Sequence, residues 1–284
     1  MTHVPGGAGG VPGGPDPSRG ADGPPSGDGS RTTARGLWLH ESGTGPLVVL
    51  VHGAMDRSGG MLRARRLLYH DHRIIRYDRR GYGRSKLAAP SDDFRVQVDD
   101  LADILDGRPA VIAGHSFGGV IGLALAETRP ELVRAVLAYE APMSWEPWWP
   151  HGSSRLPDQS PEDAAEWFLR RMIGDRTWER LPRSVRAERR SEGPALVADL
   201  RSVRAPAPVP YRAERVTVPV LAAFGGAARD HHRRAAKELA ERVPHGTLRE
   251  VPGADHGIHL SMPEAFAGLV REAVELADAA AAAG

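Results

Sequence analysis

Short apolar runs alternate with amphipathic stretches along most of this chain. The runs at 37–40, 46–51, 73–77, 109–113, 133–139, 218–224 and 248–251 have the length and bounding turn residues of strands. Between them, residues 60–68, 94–106, 119–127, 231–243 and 263–278 space their apolar positions as helices do. Such alternation predicts an α/β fold, a mostly parallel sheet covered on both faces. The order breaks between 142 and 211, a helical pattern rich in Pro and Arg inserted between two strands. Five of the six tryptophans lie there: Trp145, Trp148, Trp149, Trp167 and Trp178.

The two ends read differently. Residues 1–30 hold ten Gly and six Pro and almost no large apolar side chains. Too little surface could be buried there to offset the entropy of ordering, so 1–35 is expected to be a disordered tail. That segment also lacks the apolar stretch of a signal peptide. Residues 279–284 are expected to be a flexible fringe of the last helix.

Composition adds exclusions. Apolar residues at 41% and charged residues at 26% are ordinary for a soluble globular chain. A net charge of +1 without a long basic stretch argues against nucleic-acid binding. No cysteine is present, which removes disulfides and thiol catalysis and is compatible with the cytoplasm. No apolar run reaches the ~18 residues that span a bilayer. The expectation is a cytoplasmic protein with a small-molecule partner, no nucleic acid and no membrane. No oligomeric state can be assigned.

Candidate chemistry centres on Gly114-His115-Ser116-Phe117-Gly118, between the predicted strand 109–113 and helix 119–127. A G-x-S-x-G sequence at a strand-to-helix turn presents a strained, exposed serine above a helix N-terminus. Upstream, strand 46–51 runs into His52-Gly53-Ala54-Met55, where a glycine can turn backbone N–H groups toward a neighbouring site. Downstream, strand 248–251 leads into Pro252-Gly253-Ala254-Asp255-His256-Gly257, which makes His256 a candidate general base.

With these pieces in this order, the chain resembles the α/β-hydrolase superfamily over roughly residues 36–276. Asp78-Arg79-Arg80-Gly81-Tyr82-Gly83-Arg84-Ser85 looks like the superfamily's D-x-R-G-x-G-x-S turn, and Pro263-Glu264-Ala265-Phe266 like the opening of its last helix. The resemblance implies a hydrolase core at 36–141 and 212–278, with a helical cap at 142–211. It also implies a serine nucleophile at Ser116, a base at His256, and an oxyanion hole from the amides of Phe117 and Ala54, with Met55 the alternate. No cofactor and no metal are expected.

The acid departs from the usual pattern. Superfamily members usually carry it after the penultimate strand, where this chain has Phe224-Gly225-Gly226-Ala227-Ala228. Asp230 lies two residues on and reads better as an N-cap. Glu140, at the end of strand 133–139, is preferred, since the functional edge of an open α/β sheet lies at the strands' C-terminal ends. A carboxylate buried there needs a partner, and His256 can supply one. Asp255 is discounted because adjacent loop side chains rarely reach that geometry.

The remaining residues carry plainer readings. Asp78 and Arg79 are expected to hold their own turn, and His52 to shape its loop. His231, His232, His245 and His259 are expected on the surface or in loops, without a metal grouping. Trp145, Trp148 and Trp149 either line an apolar entrance or fill the seam below the insert. Arg183, Arg186, Arg189 and Arg190 read as a solvated face, with an anion clamp as the lesser option. The function expected is hydrolysis of a small, mainly apolar carboxylic ester or lactone. Thioester, C–C bond and cofactor-free perhydrolase chemistry stay open, as does a non-catalytic receptor-like binding protein. Epoxide hydrolases and dehalogenases of the superfamily use Asp where this chain has Ser116.

Overall fold

The computed structural model describes residues 29–150, 160–204 and 208–283. Eight strands form one sheet in the order β1-β2-β4-β3-β5-β6-β7-β8. They are β1 (Ser30–Thr32), β2 (Trp38–Ser42), β3 (Leu47–Val51), β4 (Arg73–Tyr77), β5 (Ala110–His115), β6 (Val133–Tyr139), β7 (Val220–Gly225) and β8 (Gly246–Val251). From β4 through β8 the pairing is parallel; β1 and β2 run antiparallel at one edge.

The central strands are apolar without alternation because both faces are covered. All five residues of β3, Leu47-Val48-Val49-Leu50-Val51, are buried. Helices α1 (Leu62–Leu68) and α10 (Pro263–Ala283) close one face, where Leu68, Phe266 and Val270 meet Val48, Leu50 and Leu137. Helices α2 (Arg95–Leu105), α3 (Phe117–Thr128) and α8 (Asp230–Arg242) close the other, where Leu101, Ile121 and Leu239 join Val49 and Val136. Parallel pairing sets the C-terminal ends of β3, β5, β6 and β7 side by side, with Val51 opposite Gly114 and His115 opposite Tyr139. The loops that leave those ends share one edge.

Between β6 and β7 the described residues make four α-helices: α4 (Pro161–Ile173), α5 (Asp175–Arg180), α6 (Arg183–Arg190) and α7 (Gly193–Ser202). Ser160 caps α4 by accepting from the Asp163 amide. Ala165, Leu169, Trp178, Ala195 and Leu196 form a small core that continues onto Met55 and Tyr82 of the main domain. The insert is thereby seated on the loops after β3 and β4. Another short helix, α9 (Ile258–Ser261), follows β8.

Two expectations about the ends need correction. The expected tail, 1–35, includes β1, whose Ser30, Arg31 and Thr32 pair with His40, Leu39 and Trp38. A three-residue polar strand leaves no apolar signature; a turn closed by the Gly36 amide on Thr33 O holds it in place. Residues 1–28 lie outside the described residues, as does 151–159 of the expected cap. At the other end α10 continues through the alanines to Ala283. Alanine is the best helix former, and it sustains the exposed last turns without packing. Among the described residues no helix is long and apolar enough to cross a membrane.

Candidate active site

Ser116 stands between β5 and α3 with φ 52° and ψ −121°, a conformation costly for a residue with a Cβ. Its surroundings impose it. The Ser116 amide donates to Tyr139 O at 2.8 Å, tying the turn to β6. A Cβ on Gly118 would lie 2.2 Å from Val51 O, and one on Gly114 2.4 Å from Gly119 Cα. Only glycine allows β3, β5 and α3 to come this close.

Glu140 follows β6 with φ 45° and is fully buried. Its amide donates to Ala223 O at 2.8 Å, its Oε1 accepts from the Gly225 amide at 3.1 Å, and its Oε2 lies 2.7 Å from Nδ1 of His256. Asp230 is placed elsewhere. It is the exposed first residue of α8, and the N-cap position belongs to Arg229. Asp255 Oδ1 accepts from the Gly257 amide at 2.9 Å, closing a local turn.

The loop bearing His256 is held from below. Nε2–H of His115 donates to His256 O at 2.6 Å, and the Tyr139 hydroxyl donates to Asp255 O at 2.7 Å. Burial, followed by the neighbouring His259 and His256, pushes the His115 imidazole well below its usual range. His115 is therefore neutral, with its proton on Nε2 and Nδ1 left without a partner. Among the described residues the Ser116 hydroxyl has no hydrogen bond to His256. Such links are often long without substrate and tighten in the reacting complex.

The loop after β3 is equally constrained. His52 Nδ1–H donates to Gly53 O at 2.8 Å, while its Nε2 accepts from the Arg79 amide at 2.9 Å. Burial, reinforced by the Arg79 charge, lowers the His52 pKa to about 4. The Phe117 amide belongs to the first turn of α3, where N–H groups have no helical acceptor. Met55, at φ 52°, offers its carbonyl to Arg189 of the insert.

Several placements differ from the sequence expectation. His259 is buried, with Nε2 2.9 Å from Asp56 Oδ2 and its ring 4.3 Å from that of His115. Burial is the largest single influence on the Asp56 carboxyl and would raise it, but the His259 bond and charge, together with the nearby His52 and His115, outweigh it and hold the group well below the carboxylate range. His232 is a neighbour of the site: its ring lies 4.8 Å from His256 and edge-on to Trp149 at 5.2 Å. A histidine in the first turn of a helix gives no sign of either role.

Of the three tryptophans, only Trp149 reaches toward His256, through His232. Trp145 packs on Tyr211 at 5.3 Å, and Trp148 donates to Glu238 at 3.1 Å. Trp148, Ala228, Arg229, Asp230, His231 and Arg234 line a cleft of about 580 Å³ beside them. The arginines of α6 are mostly paired internally, Arg186 with Glu179, Arg190 with Asp163 and Glu166, and Arg189 with Glu192, which leaves little of an anion clamp.

Two groupings have side-chain donors within 4.8 Å of one another: Asp56, His115 and His259, and Glu140, His232 and His256. Two imidazoles and a carboxylate are ligands zinc accepts. In each group, however, a short hydrogen bond already joins the carboxylate to a histidine. Gly53 also lies against His115 Nδ1, where a Cβ would be only 3.0 Å away. The arrangement can instead move a proton, with an imidazole held by a buried carboxylate beside a strained serine.

A mostly parallel sheet carrying a serine at this turn, a carboxylate after β6 and a histidine after β8 defines an α/β-hydrolase fold. The model of the alpha/beta hydrolase family matches residues 48–269. The chain belongs to that family and is a hydrolase. It is 27% identical to the AB hydrolase superfamily protein YfhM of Bacillus subtilis, over 84% of this chain and 94% of that protein. It is 28% identical to a pimeloyl-(acyl-carrier protein) methyl ester esterase of Chromobacterium violaceum, over 84% and 98%. A shorter match, 35% over 103 residues, joins it to the uncharacterized hydrolase YraK of Bacillus subtilis, covering 34% of this chain and 38% of that protein. Among solved structures, a thermophilic esterase from Thermogutta terrifontis superposes with a TM-score of 0.70 at 20% identity, over 85% and 93% of the two chains. The enol-lactonase of Burkholderia xenovorans superposes with 0.66 at 22% identity, over 87% and 98%.

Proposed function

We propose that this chain is a serine hydrolase that cleaves a small, mainly apolar carboxylic ester or lactone through an acyl-enzyme on Ser116. The observation that carries the reading is the 2.7 Å contact between buried Glu140 and Nδ1 of His256, on a loop clamped to the residue beside Ser116. A receptor-like protein that had lost turnover would have no use for that contact. Relatives named as an esterase and an enol-lactonase favour ester or lactone bonds within the family's range.

In this mechanism His256 Nε2 takes the Ser116 proton as Oγ attacks the substrate carbonyl carbon. Glu140 holds the proton on Nδ1 and stabilises the imidazolium. The oxyanion accepts from the amides of Ala54 and Phe117, donors worth about 3 kcal/mol each in such sites. The tetrahedral intermediate collapses as the imidazolium gives its proton to the leaving alcohol. Water, deprotonated by His256, then attacks the acyl carbon and returns Ser116 and the acid. Helices α4 to α7 act as a cap over this site, with Trp149 and His232 forming one wall of the acyl approach.

Labelling with a fluorophosphonate, mapped by mass spectrometry, tests the reading. Wild type should be modified at Ser116, and Ser116→Ala and His256→Ala should not. Glu140→Gln should lower kcat by about 10³-fold or more, while Asp230→Asn stays within about threefold. Folded wild type that resists the probe and hydrolyses no ester would overturn the proposal.

A further inference from the structure

Arg79 reaches much farther than its own turn. It is 1% exposed, and every N–H of its guanidinium is used. Nε donates to His52 O at 3.0 Å. Nη1 donates to Gln97 and to Asp199 Oδ1, the latter at 3.0 Å. Nη2 donates to Gly53 O at 3.0 Å and to Asp199 Oδ2 at 2.8 Å. Asp199 comes from α7 of the insert and is itself 2% exposed. Its remaining bonds come from Gln97 Nε2 and the Tyr82 hydroxyl, each at 2.8 Å.

Gly53 O belongs to the same peptide unit as the Ala54 amide. In a trans peptide the C=O and N–H point in opposite directions, so gripping one aims the other. Two donors grip Gly53 O, the Arg79 guanidinium and His52 Nδ1–H. On its other side Gly53 faces the nucleophile, where a Cβ would lie 3.1 Å from Ser116 Cβ. Arg79 also lies over the Phe117 ring at 4.9 Å, whose backbone supplies the second proposed oxyanion donor. A cationic donor on the carbonyl further polarises the peptide, which strengthens its N–H.

We infer that Asp199 is a positioning residue for the oxyanion donor of Ala54, acting from the insert through Arg79. The inference rests on the serine-hydrolase reading above. Without a carboxylate at 199, Arg79 would be a buried charge lacking its counter-ion and would turn toward solvent. Gly53 O would then lose one of its two donors, and the Ala54 amide would lose its fixed aim. Seating of the insert and readiness of the oxyanion hole are, in this arrangement, one contact.

The test compares wild type, Asp199→Asn and Arg79→Lys on a p-nitrophenyl ester series, together with inhibition by an alkyl trifluoromethyl ketone. That ketone adds to the serine to give an oxyanion, so its Ki reports the hole directly. Asp199→Asn is expected to lower kcat by about 10- to 100-fold, a fraction of what a lost donor costs. KM should stay within about threefold, and Ki should weaken by the same factor as kcat. Arg79→Lys, which keeps the charge but loses the fork, should behave alike. If Asp199→Asn does not fold, Asp199→Glu and Arg79→Lys, which retain both charges, carry the comparison. A fall in thermal stability or a rise in KM with Ki unchanged would reduce Asp199 to an anchor of the insert and overturn the inference. Wild type that neither reacts with the fluorophosphonate nor binds the ketone would instead remove the underlying hydrolase reading.

Discussion

Among the described residues four non-glycine residues adopt positive φ, and three of them, Met55, Ser116 and Glu140, surround the candidate site. Each such conformation costs on the order of 1 kcal/mol or more and persists only where neighbours over-determine it. For Ser116 and Glu140 those neighbours are backbone groups of β6 and β7, so their strain is held by the central sheet. Gly118→Ala would force its Cβ against Val51 O. The expected result is a loss of about 3 kcal/mol or more, read as urea midpoint, with Ser116 labelling lost in whatever remains folded. At this scale the elbow and the Glu140–His256 contact were legible, because strand ends can be read from sequence and a buried carboxylate demands a partner. The reach of Arg79 was not, since its partners lie 18 to 120 residues away and come from three other loops and helices. His259, expected on the surface or in a loop, is buried for the same reason: its partner, Asp56, is 203 residues distant.

Among the elements, α3 shows how far packing can override amphipathic pattern. Ten of its twelve residues are buried, so its sequence, Phe117-Gly118-Gly119-Val120 onward, carries almost no polar face. Small residues at the start let it sit directly on β5. The insert follows the opposite rule. Its helices α4, α5 and α7 share one small apolar core, with Trp178 1% exposed and bonded to Glu166 through Nε1 at 3.1 Å, while α6 buries no residue. Trp178→Ala should destabilise the protein by about 3–5 kcal/mol, detected as a lower melting temperature. Sequence periodicity placed the core helices and strands to within one or two residues for most elements. The four separate helices of the insert stayed unresolved because short helices broken by Gly174 and Pro182 repeat too few turns to show a period.

For the molecule as a whole, buried neutral imidazoles set the response to acid. His52 is lowered to about 4 by burial and the Arg79 charge, and burial also carries His115 and His232 well below their usual range. In the unfolded chain all three take up protons near pH 6.5. Between about pH 6.5 and pH 4 the unfolded state therefore binds more protons, and stability falls as pH falls. For His52 alone the loss is on the order of 3 kcal/mol, complete near pH 4 and absent above pH 7. Melting temperature measured from pH 7 to pH 4.5 should decline across that window, and His52→Asn should flatten the slope while lowering stability at pH 7. A melting temperature that stays level to pH 4.5 would contradict these neutral histidines.

In the proposed mechanism the acid leaves β6, and the turn after β7 is released from the chemistry. Ala227, Arg229 and Asp230 are exposed, and Arg229 and Asp230 border the cleft beside Trp148 and His231. In relatives that carry the acid there, any change to this turn risks the reaction itself. Here it can drift, and libraries at these three positions should keep the fluorophosphonate reaction at Ser116 while altering which esters are accepted. Such freedom makes the turn a natural place for selection to diversify substrate range, with the machinery that breaks the bond inherited unchanged.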